Sequence, residues 1–156
     1  LRVAICKVNY EVRNFNVDEA KEEIKKRPQN LSLNEMFLVA NTYPAGSQDF
    51  IDVFETAVRM YPKDEIANIN AATAALSRND LVSAERYLKA AGLKKNLPEY
   101  SNAMGVLMLL KGEYEHAEKY LNDANGEGLE AAGLNLKELA VKKANAAEIE
   151  KKNRDK

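Results

Sequence analysis

The chain has little that reactive chemistry uses. Its 156 residues include one cysteine, Cys6, one histidine, His116, and no tryptophan. A single cysteine excludes an internal disulfide. A lone histidine, with no second His or Cys within helical reach, makes neither a metal site nor a catalytic dyad. His116 stands between Glu115 and Ala117 with Glu118 beyond, so it reads as part of a solvated helix face. Charge of one sign is also missing: 23 Lys and Arg meet 24 Asp and Glu, for a net charge of −1. No basic excess points to nucleic acid. The tyrosines are not interleaved with arginines, which argues against base stacking. No apolar run is long enough to span a bilayer. No GxGxxG or Walker-type loop occurs, and NGEG at 125–128 reads as a helix-ending turn rather than a phosphate cradle. The chain is therefore expected to be no enzyme, with no catalytic residue, cofactor or metal. It opens at Leu1 without an initiator Met or a secretory apolar region, and is expected to be an excised or mature piece of something longer. Ile5 precedes Cys6 where lipidation needs a small residue, so Cys6 reads as a small apolar side chain.

The first fifteen residues, LRVAICKVNYEVRNF, are rich in β-branched and aromatic side chains and alternate in polarity. Val8, Tyr10 and Val12 share one parity, and Leu1, Val3 and Ile5 the other. That pattern predicts a half-buried β-strand with a bulge near Cys6 and Lys7. A single strand cannot satisfy its own backbone. It is expected to pair with a strand of its own making, with an upstream sheet, or across a two-fold to give a dimer.

Everything after this segment has helical punctuation. Asn16 with Glu19, and Ser32 with Glu35, are capping-box-like starts; Asp64 and Asp80 are N-caps; Pro28, Pro62, Gly92 and Gly112 are stops. Helices are predicted at about 16–27, 33–43, 48–61, 65–77, 81–91, 98–111 and 113–124, and from 129 onward, with EIEKKNRDK expected to fray.

Two of these helices are nearly the same helix. RNDLVSAERYLKAA at 78–91 and KGEYEHAEKYLNDA at 111–124 align Ala84 with Ala117, Tyr87 with Tyr120, Leu88 with Leu121 and Ala91 with Ala124. The offset is 33, and a further step of 34 back from Ala91 reaches Ala57, with Phe54 in the place of Leu88. Small residues at this period let one helix approach its neighbour, and the large residue between them fills the gap. One helical pair cannot bury its own apolar face, so the pairs are expected to stack.

On Gly105, Gly112, Tyr114, Ala117, Leu121 and Ala124 the chain resembles the tetratricopeptide repeat, best over 98–131, next over 65–97, and least over 31–64, where Leu38 and Phe50 replace small residues. The resemblance implies an all-α fold, an α–α superhelix of helical hairpins, here with a short N-terminal β-strand. The domains are then 1–15, a strand ending an upstream domain; 16–30, a linking helix; 31–131, three hairpins; and 132–156, a capping helix and charged tail. VNYEVRNFNVDEAKEEIKKRPQNLSLNEMFLVANTY, then YPKDEIANINAATAALSRNDLVSAERYL, further resembles the C-terminal part of cell-envelope proteins of Gram-negative anaerobes that carry an OmpA-like domain upstream. That implies a periplasmic or outer-membrane-associated setting.

In tetratricopeptide proteins the first helix of each pair lines a concave groove. By register this places Ser32, Glu35, Val39 and Thr42, then Ile66, Ile69, Thr73 and Leu76, then Glu99, Asn102, Val106 and Leu109 in the groove. Asn70 matches an asparagine of family members that grip a C-terminal carboxylate, but the lysines and arginine of that clamp are missing. The partner-binding candidates are Val39, Ile66, Ile69, Asn70, Thr73, Leu76, Asn102, Val106 and Leu109. Two readings of their apolar strip stand open. Either the C-terminal helix folds back over it, or it receives a peptide or helix from a protein partner. The expected role is a non-catalytic protein–protein interaction scaffold of the cell envelope. The alternative is a structural spacer attached to an OmpA-like cell-wall-anchoring domain.

Overall fold

The structure, a computed structural model, describes residues 1–6, 15–92 and 97–156. Regular secondary structure among them is entirely helical. The helices are α1 (Val17–Lys26), α2 (Leu33–Ala40), α3 (Gln48–Met60), α4 (Glu65–Ser77), α5 (Leu81–Ala90), α6 (Pro98–Leu110), α7 (Tyr114–Gly126) and α8 (Glu130–Arg154), with a 3-10 turn at Pro28–Asn30.

The boundaries follow local chemistry. Asn16, Ser32, Ser47, Asp64 and Asp80 each accept a hydrogen bond from the main-chain N–H three residues on, which satisfies an otherwise unpaired donor of the first turn. At Ser32 the box is complete, because the Glu35 carboxylate accepts from the Ser32 N–H at 2.7 Å. The turn joining α4 to α5 and the turn joining α6 to α7 have the same form. Asn79 (φ 60°) and Gly112 (φ 78°) take the left-handed conformation that reverses the chain. The next N–H then donates back to the helix, from Asp80 to Ala75 and from Glu113 to Met108.

The chain divides into two compact bodies. One comprises Ile5–Lys94 and contains α1 to α5, each helix packed on the next. Its core is built on Met36, Phe37, Phe54, Ala57 and Ala71. Phe50 meets Phe54 edge to face, with ring centroids 4.7 Å apart. The other comprises Leu1–Ala4 with Lys95–Lys156 and contains α6, α7 and α8, in which α7 packs on both α6 and α8. Leu121, Ala117, Ala124, Ala132 and Leu139 form its core. Gly105 brings α6 against α7. A Cβ there would stand 2.6 Å from Leu121 Cγ and 3.3 Å from the Leu121 main-chain nitrogen. On the outer side Lys143 of α8 bridges Glu115 and Glu118 of α7, at 3.1 and 2.7 Å.

The helical repeat predicted from the 33-residue offset is present as two helix–turn–helix units, α4–α5 and α6–α7. Their matched residues are alike in burial: Ala84, Leu88 and Ala91 in the first, Ala117, Leu121 and Ala124 in the second, all essentially inaccessible.

The predicted N-terminal strand is not present among the described residues. Residues 1–6 and Phe15–Asn16 have no regular secondary structure, and residues 7–14 of the predicted segment lie outside the described residues. The reason lies in where the main chain finds its partners. An extended backbone needs hydrogen bonds, and here asparagine side chains supply them in place of a neighbouring strand. Among the described residues there is thus no strand edge for a two-fold dimer to share. At the other end α8 continues through the charged tail to Arg154, with Lys152 paired to Glu148 one turn back.

Candidate functional site

α4 and α6 differ from the other helices in being buried on nearly every face. In α4 every residue from Ala67 to Leu76 is buried; in α6 the buried set includes Tyr100, Ser101, Asn102, Ala103, Val106, Leu107 and Leu109. A helix apolar all round belongs inside a structure, whereas α3, α5 and α7 keep one wet side. Of the predicted groove residues, Val39, Ile69, Asn70, Thr73, Leu76, Asn102, Val106 and Leu109 are buried, and Ile66 is half-buried.

Asn70 and Asn102 of this strip, and Asn135 on α8, are buried asparagines whose partners lie far away in sequence. By contrast Asn68, equally buried, is satisfied locally, donating to the carbonyls of Pro62 and Asp64 at 3.0 and 2.7 Å. Asn70, on α4, accepts the main-chain N–H of Cys6 at 2.9 Å through Oδ1 and donates through Nδ2 to the Cys6 carbonyl at 3.4 Å. Its amide thus spans both polar groups of one residue, as a neighbouring strand would.

In the other body the same arrangement is built more tightly. Asn135 accepts the N–H of Arg2 at 2.7 Å and donates to the Arg2 carbonyl at 2.7 Å. It also donates to Asn102 Oδ1 on α6 at 3.0 Å, and Asn102 Nδ2 donates to the same Arg2 carbonyl at 3.2 Å. Each of these side-chain groups has a partner, and the network admits only one orientation of the Asn135 amide, because its oxygen must face the N–H. Asn135 is fully buried and Asn102 is 1% exposed, whereas Arg2 is exposed. Low local polarity strengthens such bonds and makes their loss costly.

The sequence pattern places Asn70 and Asn102 in the groove. It leaves out Asn135, because the helix from 129 onward reads as a cap. A signal for it exists nonetheless: Asn135 follows Asn102 by the repeat spacing of 33, and Ala132 and Leu139 flank it as Glu99 and Val106 flank Asn102. The first part of α8 therefore occupies the register of a further inner helix. It lies chiefly along α7, and at Asn102 it meets the N-terminal segment.

His116 lies apart from these asparagines, whereas Cys6 is the residue whose main chain Asn70 holds. His116 is exposed on α7, with Nδ1 3.1 Å from a Glu113 carboxylate oxygen. Cys6 is buried. A surface depression on the N-terminal body, lined by Glu55, Arg59, Arg78, Arg86 and Tyr87 among others, contains none of the predicted groove residues. Among the described residues no helix is long and apolar enough to cross a membrane.

What this arrangement can do is recognise a polypeptide by its main chain. The asparagine amides read N–H and C=O, which every residue except proline offers, and Arg2 is gripped through these groups alone of its backbone. Comparison with family models, with curated proteins and with solved structures found no match for this chain.

Proposed function

We propose that the protein is a non-catalytic protein–protein interaction scaffold whose inner helices hold an extended polypeptide segment through buried asparagine amides. The single observation that supports this most is the Asn102–Asn135 pair, which closes on both main-chain groups of one residue. A buried amide that bonds a remote backbone is an expensive arrangement for stability alone, since an apolar pair of similar shape would serve a core as well. The setting we propose is the cell envelope, on the resemblance of residues 8–43 and 61–88 to envelope proteins with an OmpA-like domain.

Burial of Ile69 in one body and of Val106 in the other, each at 1% exposure or less, supports the second reading, a structural spacer.

The discriminating experiment uses Asn135→Ala in the full chain. Envelope extract is passed over the wild-type and variant proteins, and bound proteins are identified by mass spectrometry. A partner held by the wild type and lost from a variant that is still folded supports peptide holding. Identical sets on both proteins, or none on either, favour the spacer.

A further inference from the structure

We infer that residues 1–4 are a displaceable plug: they fill, within the same chain, the main-chain receptor formed by Asn102 and Asn135, and an extended segment of another polypeptide takes their place. This deepens the extended-peptide reading above and rests on it.

Three observations carry it. First, the grip on this segment is on its backbone. Asn135 and Asn102 hold the N–H and C=O of Arg2, while Leu1 and Val3 remain 39% and 38% exposed. The asparagine contacts do not distinguish this segment from any other that is extended and lacks proline at the gripped position, while the Leu1 ammonium adds an ion pair to Glu138 at 3.0 Å. Second, the receptor needs an occupant. Without the Arg2 N–H, the oxygen of fully buried Asn135 loses its donor, so the empty state is costly and another main chain is the natural substitute. Third, residues 1–4 have no regular secondary structure, so their departure breaks no helix.

The consequence is self-occlusion. An incoming segment binds only to the fraction of molecules whose plug is out, and its apparent affinity falls by that fraction. The test uses a fluorescein-labelled peptide of residues 1–6, blocked at both ends and kept reduced. It is titrated by fluorescence polarisation with full-length wild type, Arg2→Ala and Arg2→Pro. Arg2→Ala keeps the N–H that Asn135 accepts, and Arg2→Pro removes it. The peptide is expected to bind Arg2→Pro about tenfold more tightly than the other two, the ratio set by roughly one lost main-chain hydrogen bond. Adding Asn135→Ala to Arg2→Pro is expected to abolish that gain. Equal, measurable affinity for all three chains overturns the plug and leaves the extended-peptide reading standing. No binding to Arg2→Pro overturns both. Loss of helical circular dichroism in Arg2→Pro overturns the plug as well, since a displaceable segment is not needed for folding.

Discussion

Asn135 holds Arg2 as one strand holds another: its amide oxygen takes the N–H at 2.7 Å and its amide nitrogen gives to the carbonyl at 2.7 Å, across 133 residues of sequence. Replacing Asn135 by Ala removes these bonds and the one to Asn102, and leaves the buried Asn102 oxygen without its donor. Stability is expected to fall by about 2 kcal/mol, less than the sum of three bonds because the exposed Arg2 backbone can turn to water. Urea unfolding of wild type and variant measures it. Asn135→Asp, which keeps an acceptor for Arg2 but brings a buried charge and no donor, is expected to lose at least as much at neutral pH.

Two glycines in this body should respond oppositely to the same change. Gly105→Ala drives a methyl group into Leu121 at 2.6 Å, and is expected to cost about 2 kcal/mol. At Gly126, the last residue of α7, a Cβ would meet nothing within 4 Å. Alanine there is expected to add about 0.5 kcal/mol through lower backbone entropy in the unfolded chain. Thermal unfolding of the two variants should move the midpoint in opposite directions. Destabilisation of equal size in both would show that α6 and α7 do not approach at Gly105.

Asp80 gives a pH dependence of known sign. Its carboxylate is held below the ordinary aspartate range, first by its hydrogen bond from the Ser83 side chain and then by the Ser83 main-chain N–H. A carboxyl whose folded value is depressed contributes stability that is fully present above the unfolded value, about 4, and is lost as pH falls through the folded value. Asp80→Asn keeps a capping oxygen but does not titrate. The difference in urea midpoint between wild type and Asp80→Asn, followed from pH 6 downward, should narrow only below about pH 4. A difference that stays constant to the lowest pH would remove Asp80 from the acid response.

Asn70 can be probed through the residue it grips. Cys6 is 8% exposed, with its N–H on Asn70 Oδ1 at 2.9 Å. Asn70→Ala removes the grip, so local opening of the segment becomes more frequent while the helices stay folded. Reaction of Cys6 with a thiol reagent is expected to accelerate about tenfold, the factor for one such bond. An unchanged rate would mean that Asn70 does not hold the segment in place.

Much of the fold is legible residue by residue. The start of α2 can be read from Ser32 and Glu35, and that of α4 from Asp64, because a cap is an exchange between groups three residues apart. The ends of α1 and α3 are marked by Pro28 and Pro62, which cannot continue a helix. The repeat in α5 and α7 is visible because the same packing problem, one helix closing on another through alanine, recurs with the same solution. The site is legible only in part. Periodicity places Asn70 and Asn102 on inner helices, but as members of an apolar groove, and it passes over Asn135. Asparagine in a helix carries no label saying whether it bonds a carbonyl close by, as Asn68 does with Pro62 and Asp64, or reaches a distant backbone.

The amino-acid sequence by itself determined the helices, most of their starts and the 33-residue recurrence, since each depends on contacts within a turn or between neighbours in the chain. Only the tertiary structure decided the fate of the first residues. Alternation in LRVAICKVNYEVRNF says on which side its side chains lie and says nothing of what its N–H and C=O groups meet. For Arg2 and Cys6 those partners are Asn70, Asn102 and Asn135, 64 to 133 residues away. A backbone hydrogen bond is indifferent to residue type, so no local pattern could have named them, and Arg2 and Cys6, in a stretch with the composition of a strand, are held by asparagines on helices instead of by a sheet.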